Sequence, residues 1–331
     1  MIISIGLPPN LPLSEYARLA RVVEDYDFEA IYVDDRPHSK SCWPLLHTIA
    51  RSTSRVKLGT SVTHPFFRHP LVTASEVAVL DEVSGNRTVL GIGRGDREYY
   101  SMVGLRTYME MEAVKEAVEL IRRLLSGRGE AYRGKVFSAR EGLTLQFKPP
   151  RSHVPIYIGT VGPKMFQVAG EVADGVQSAG LSSTSYVPVA IENVRIGARR
   201  AGRDPKEVRI GADIWTCISH DREEAEGMLK PILANRIPKL KTMVEALGLD
   251  PEEVDKLEVY LDRAESDRAA SLVSRRSIDA LTICGTPEDA IRRIKELGKA
   301  GVQHITLKKP LGPDLERAIR IIGEEVIPRI G

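Results

Sequence analysis

Two histidines, an arginine and two prolines crowd the segment Gly59-Thr-Ser-Val-Thr-His-Pro-Phe-Phe-Arg-His-Pro70, directly after residues that read as a buried strand through Val56, Leu58 and Val62. Pro65 cannot continue a central ladder, and Pro70 is placed to open a helix carrying Ala74, Val77 and Leu80. Ser61, Val62, Thr63 and His64 therefore lie where a strand gives way to a loop, and the carboxyl ends of parallel strands are where α/β folds keep their chemistry. His64 and His69 are five apart in that loop with no acidic third ligand beside them, so the spacing does not predict a metal site.

Three further turns carry candidates. In Val89-Leu-Gly-Ile-Gly-Arg-Gly-Asp96 the alternating glycines Gly91, Gly93 and Gly95 let a flat ligand lie against the backbone or simply form a tight β-to-α turn, and Asp96 is the one acid there. The spacing is not the dinucleotide GxGxxG. In Ile156-Tyr-Ile-Gly-Thr-Val-Gly-Pro-Lys-Met165 a helix starts near Gly162-Pro163, which leaves free amides and a positive dipole end suited to a phosphate. Gly159 and Gly162 permit close approach around Val161, Thr160 offers a hydroxyl and Lys164 a charge; an ordinary proline-started helix is the plainer alternative. Asp174-Gly-Val-Gln-Ser-Ala-Gly180 follows, with Ala179 and Gly180 leaving room beside the same pocket. Asp34 and Asp35 close another strand and serve either acid/base work or turn capping. No GxSxG elbow or CGxC nucleophile context occurs, which argues against covalent hydrolase chemistry.

The elements that must position these loops are short apolar runs alternating with amphipathic helices, the pattern of βα units on a parallel sheet. Eight runs qualify as strands, at 2–6, 30–34, 56–62, 88–92, 155–158, 175–179, 208–218 and 302–307. They predict a (β/α)8 TIM barrel. Ser14 caps the first helix, with Leu19, Val22, Val23 and Tyr26 facing the barrel, and Thr286-Pro287-Glu288-Asp289 opens a late helix that Gly301 ends. Insertions fall at about 97–110, 128–150 (a hairpin around Val136 and Leu143–Phe147) and 221–284, the last a helical insertion between strands 7 and 8. At 331 residues and 42% hydrophobic content, one domain over 1–331 fits a barrel with insertions. The 47 basic and 45 acidic residues leave a formal charge of +2, so neither nucleic acid nor membrane is indicated as a partner. Cys42, Cys217 and Cys284 form no disulfide or zinc spacing, and the chain opens without a signal segment, so a cytoplasmic setting is expected.

Taken together, Val62–Pro70, Ala78-Val-Leu-Asp-Glu-Val-Ser-Gly-Asn-Arg87, Leu90–Asp96 and Ile158–Met165 leading to Ala173-Asp-Gly-Val176 resemble the luciferase-like flavin and deazaflavin oxidoreductase superfamily, most of all methylenetetrahydromethanopterin reductase and relatives that use coenzyme F420. The resemblance implies hydride transfer between a deazaflavin ring carbon and a small-molecule substrate, a non-prolyl cis peptide at Ser61–Val62 behind the ring, and the cofactor phosphate on the Gly159–Lys164 turn. It also implies a homodimer or higher homo-oligomer. Arg68, Arg94, Arg97 and Lys164 lie on loops that would meet the anionic tail of F420. Asp96 matches the family's second acid and becomes the first candidate for the proton, Asp35 the second. The chain departs from the pattern at Gly6, where the reductases carry a glutamate, and at Arg36 and His64. An FMN-dependent monooxygenase and a non-catalytic flavin- or deazaflavin-binding protein are the alternatives.

Overall fold

The computed structural model describes all 331 residues apart from the side chain of Thr242. The strands, in chain order, are β1 (Ile2–Leu7), β2 (Ala30–Val33), β3 (Lys57–Thr60), β4 (Thr88–Gly93), β5 (Tyr132–Arg133), β6 (Ser138–Ala139), β7 (Ile156–Gly159), β8 (Gly175–Ser178), β9 (Arg209–Ile218), β10 (Thr282–Gly285) and β11 (His304–Leu311). β5 and β6 form a small antiparallel pair; the others run parallel, with helices between them, so the α/β class read from the sequence is the observed one.

Two compact units divide the chain. In the unit of Gly6–Gln177 and Glu192–Ile210, strands β2, β3, β4, β7 and β8 lie side by side in that order. Register fixes which residues share a face, because direct partners across parallel strands point the same way. Tyr32 is opposite Gly59, Gly59 opposite Val89, Gly91 opposite Tyr157, Gly93 opposite Gly159, and Gly159 opposite Gln177. On that face the amino-terminal half is filled by Ala30, Tyr32, Val89 and Tyr157, all buried. The carboxyl-terminal end of the same face carries only glycines and Gln177, so the sequence itself leaves a hollow there.

The segment Ala78–Arg87 builds the scaffold beneath. Asp81, fully buried, receives two bonds of 2.8 Å from Arg151 and one of 3.1 Å from the Thr88 amide, which anchors the start of β4. Arg87 donates to the carbonyls of Ala50, Thr53, Val56 and Ser84, tying the approach to β3 against the helix Pro70–Ser84. That helix opens at Pro70 and buries Ala74, Val77 and Leu80, as the spacing predicts.

In the unit of Met1–Ile5, Ser178–Ile191 and Gly211–Gly331 the strand order is β10-β9-β11-β1. The helix Pro287–Ala300 begins with the expected capping box at Thr286 and Asp289 and ends on Gly301 at φ 114°.

Several boundaries differ from expectation. β10 was not foreseen; its four residues follow a helix directly and are too few for a period-2 signal, so the segment 221–284 is helical until its last strand. β3 stops at Thr60; Ser61–Val62 is a cis peptide, and Thr63 makes an isolated parallel bridge to Ile92. β11 runs on to Leu311 through Pro310, which a register shift between Lys308 and Leu311 accommodates. The first helix starts at Leu13 after Pro12, with Ser14 inside its first turn instead of capping it, and Tyr26 lies beyond its end, half-buried. In residues 128–150 the strands are 132–133 and 138–139; Val136 lies between them and Leu143–Phe147 forms no strand.

Candidate active site

The hollow at the carboxyl end of β3, β4, β7 and β8 is shaped by one side chain. Val62, half-buried on the cis Ser61–Val62 unit, is seated against three glycines: a Cβ on Gly91 would lie 3.1 Å from its Cγ1, one on Gly93 3.0 Å from its Cγ2, and one on Gly159 2.8 Å from its Cγ1. The glycines of β4 and β7 thus make room for Val62, and Val62 presents its other side. On this face the space beside Gly91, Gly93 and Gly159 is taken by Val62. Thr60 and Thr63 hold the loop in place. Thr60 Oγ1 donates to the Gly91 carbonyl (2.6 Å), the Thr63 amide donates to the same carbonyl (2.9 Å), and the Gly93 amide donates back to Thr63 (2.9 Å).

Asp35 is the hub of the neighbouring loop. Its Oδ2 accepts from Thr63 Oγ1 at 2.7 Å and from Arg68 Nε at 2.8 Å, and its Oδ1 from Arg68 at 3.3 Å. A carboxylate held this way by three donors orients the loop. His64 Nε2 donates to the Asp35 carbonyl at 3.1 Å, so Nδ1 carries the lone pair; that nitrogen is buried with no protein partner. Burial holds His64 below the usual imidazole range despite the nearby Asp35 charge. It packs against Phe67 and Tyr100 at ring separations of 5.0 and 5.8 Å.

Asp96 is exposed and caps the six-residue helix Arg97–Met102, its Oδ1 accepting from the Glu98 amide at 3.0 Å. Gly95, at φ 79°, is required twice over, since a Cβ would also meet the Tyr100 hydroxyl. That hydroxyl donates to the Arg94 carbonyl at 2.7 Å, and burial pushes its pKa up, so it remains a neutral donor. Of the four cations read as facing an anionic tail, Arg68 is committed to Asp35, while Arg94 and Arg97 pair with Glu110 at 3.3 and 3.0 Å. Lys164 is exposed and has no acidic partner among the described residues.

The helix Pro163–Val172 starts as expected. Gly162 is its N-cap, no side chain caps it, and a Cβ on Gly162 would meet nothing within 4 Å. Pro163 has no N–H and the Met165 and Phe166 amides donate to the Gly162 carbonyl, which leaves the Gly162 and Lys164 amides for a ligand at this helix start. The Thr160 amide is already used, donating to the Gln177 carbonyl at 3.1 Å. Gln177 is the residue that the sequence reading passed over. It is 2% exposed, neither Nε2 nor Oε1 has a protein partner, and Oε1 lies 2.9 Å from where a Gly91 Cβ would stand. A lone amide among the small residues of β8, opposite a glycine, was the available signal. Ala179 and Gly180 belong to the other compact unit, in the turn Ala179–Ser182, with Ala179 exposed and Gly180 buried. Gly6, at the end of β1, is buried and offers no acid.

Residues 4–304 match the family described as luciferase-like monooxygenase. The chain belongs to that family. Within it, the 5,10-methylenetetrahydromethanopterin reductase of Archaeoglobus fulgidus is 33% identical over 335 residues, covering all of both chains. The enzyme of the same name from Methanolobus tindarius is 34% identical over 331 residues, 99% of this chain and all of that one. The solved structure of the coenzyme F420 dependent tetrahydromethanopterin reductase from Methanopyrus kandleri is similar with a TM-score of 0.92 at 31% identity, covering 100% of this chain and 99% of that one. The fold of this luciferase-like chain is therefore the expected parallel (β/α)8 barrel. No helix among the described residues is long and apolar enough to cross a membrane.

Proposed function

We propose that this chain is a coenzyme F420-dependent oxidoreductase, and that its substrate is a methylene-pterin of the kind named for its reductase relatives. The observation that carries the reading is the pairing of two features in one compact unit: the half-buried Val62 seat backed by Gly91, Gly93 and Gly159, and the uncapped helix start at Gly162. The residues fit such a group. A planar ring needs an apolar backing, which Val62 supplies, and an anionic tail needs unpaired amides and a free cation, which the Gly162–Lys164 turn supplies. When bound, the cofactor supplies the ring carbon that gives or takes a hydride.

The chain's own part is to position and to handle the proton. Thr63 and Arg68, through Asp35, hold the Val62 loop against β4. Asp96 is the proposed proton donor: its Oδ1 is engaged by the Glu98 amide, which leaves Oδ2 to carry the proton to an acceptor. Asp35, with both oxygens accepting bonds, is assigned the positioning role.

Oxygen use is the test against the FMN monooxygenase reading. Purified protein with reduced F420 and methylenetetrahydromethanopterin, under strict anaerobiosis, is expected to oxidise the deazaflavin in step with substrate loss. Turnover that requires both FMN and oxygen would overturn the proposal, and tight F420 binding without turnover on any acceptor would favour the non-catalytic alternative.

A further inference from the structure

We infer that the Gln177 amide is a recognition element for the imide edge of the cofactor ring, an assignment that rests on the F420 reading above. Gln177 sits on β8 opposite Gly159, on the face that carries Gly91, Gly93 and Tyr157. Its side chain reaches across Gly159, which has none, to bring Oε1 over Gly91 two strands away. It therefore shares with Val62 the trough that the glycines open. The amide is 2% exposed, and both of its polar atoms lack protein partners. Buried polar groups in native folds are rarely left in that condition, so an orphaned amide calls for a partner. Around Gly91, the polar groups of Thr60, Thr63 and the β4 backbone are already bonded to one another.

The chemistry of the occupant follows from the donor set. A primary amide offers one acceptor and a two-proton donor side by side. Its complement is a ring edge that alternates carbonyl and N–H, the imide of a flavin or deazaflavin pyrimidine. Oε1 accepts from the ring N–H and Nε2 donates to a flanking carbonyl. A phosphate would satisfy only the donor half; the lactam edge of a pterin substrate would satisfy both, and deazaflavin binding unaffected by substitution at Gln177 would assign the amide to that substrate instead.

The experiment compares wild type, Gln177→Met and Gln177→Glu by fluorescence titration with two probes, F420 and the deazaflavin chromophore without its phosphate tail, with the unfolding midpoint of each cofactor-free protein measured alongside. Gln177→Met keeps the length and removes both polar atoms. It is expected to weaken both probes by about 10- to 100-fold, the worth of two hydrogen bonds in a site closed to water, while the cofactor-free midpoint holds or rises because an orphaned group has gone. Gln177→Glu, which keeps an acceptor and loses the donor, is expected to weaken both probes as well, and it decides the question if the methionine variant does not fold. Unchanged affinity for both probes in a folded variant would overturn the inference, as would a loss confined to F420 with the tail-less chromophore unaffected. If wild type bound neither probe, the F420 reading would fail first and take this inference with it.

Discussion

Gly159→Ala tests whether the glycines exist to seat Val62. Gly159 does not occupy the left-handed region, so the substitution acts through space alone. The new Cβ would stand 2.8 Å from Val62 Cγ1 and 3.0 Å from Cγ2. Carbon pairs settle at about 3.5–4.0 Å, so Val62 must move by roughly 1 Å. It cannot retreat toward β4, where the Cβ positions of Gly91 and Gly93 are already 3.1 and 3.0 Å from its methyls. Its remaining direction is outward, into the space proposed for the ring. Overpacking of this kind costs about 1–3 kcal/mol. Urea unfolding of cofactor-free protein is expected to register that loss, and an F420 titration a weaker complex. Val62→Ala removes the colliding methyls, so the double variant should recover most of the stability, with a coupling of about 1–3 kcal/mol between the two sites. If the two substitutions add to within about 0.5 kcal/mol, Val62 is not what Gly159 makes room for, and the description of the hollow is wrong.

Three other outcomes follow from the site. Gly162→Val is expected to weaken F420 binding more than Lys164→Ala, since amides and the helix dipole carry most of an anion's binding, and the open space at Gly162 means that the fold tolerates the change; the reverse order in a titration would move the phosphate elsewhere. Asp96→Asn keeps the N-cap, because Asn caps as well as Asp, but removes the acid, so turnover should fall by about 10²–10⁴-fold with cofactor affinity retained; wild-type turnover would leave Asp96 a cap only. Burial lowers the His64 pKa, so the unfolded chain binds a proton that the folded chain excludes. Stability attributable to His64 is then full above the unfolded value of about 6.5 and is lost as pH falls through and below it. Denaturant midpoints from pH 5 to 8 should slope less in His64→Gln than in wild type, and identical slopes would contradict the assignment.

The barrel was legible because parallel strands buried on both faces appear as plain apolar runs, and the helix starts at Pro70, Pro163 and Thr286 carry their signals within a few residues. β10 was illegible because four residues after a helix contain no period. The site was legible as a set of loops and less so as a set of roles. Sequence alone indicates that Gly91, Gly93 and Gly159 lack side chains, but whose side chain fills the space depends on the register of three strands, and the answer was Val62 and Gln177. Likewise Asp35, Arg68 and Thr63 are distant enough in sequence that their shared hydrogen bonds arise only when β2 and β3 pair. Arg94 and Arg97 read as free cations until Glu110 came round to meet them.

The central claim is that this luciferase-like barrel holds a deazaflavin instead of a flavin mononucleotide. A parallel fluorescence titration of the purified protein with oxidised F420 and with FMN, at two salt concentrations, tests it most directly. The account predicts tighter binding of F420, with an affinity that weakens as salt screens the Lys164 charge at the Gly162 helix start. Equal or tighter binding of FMN would contradict it.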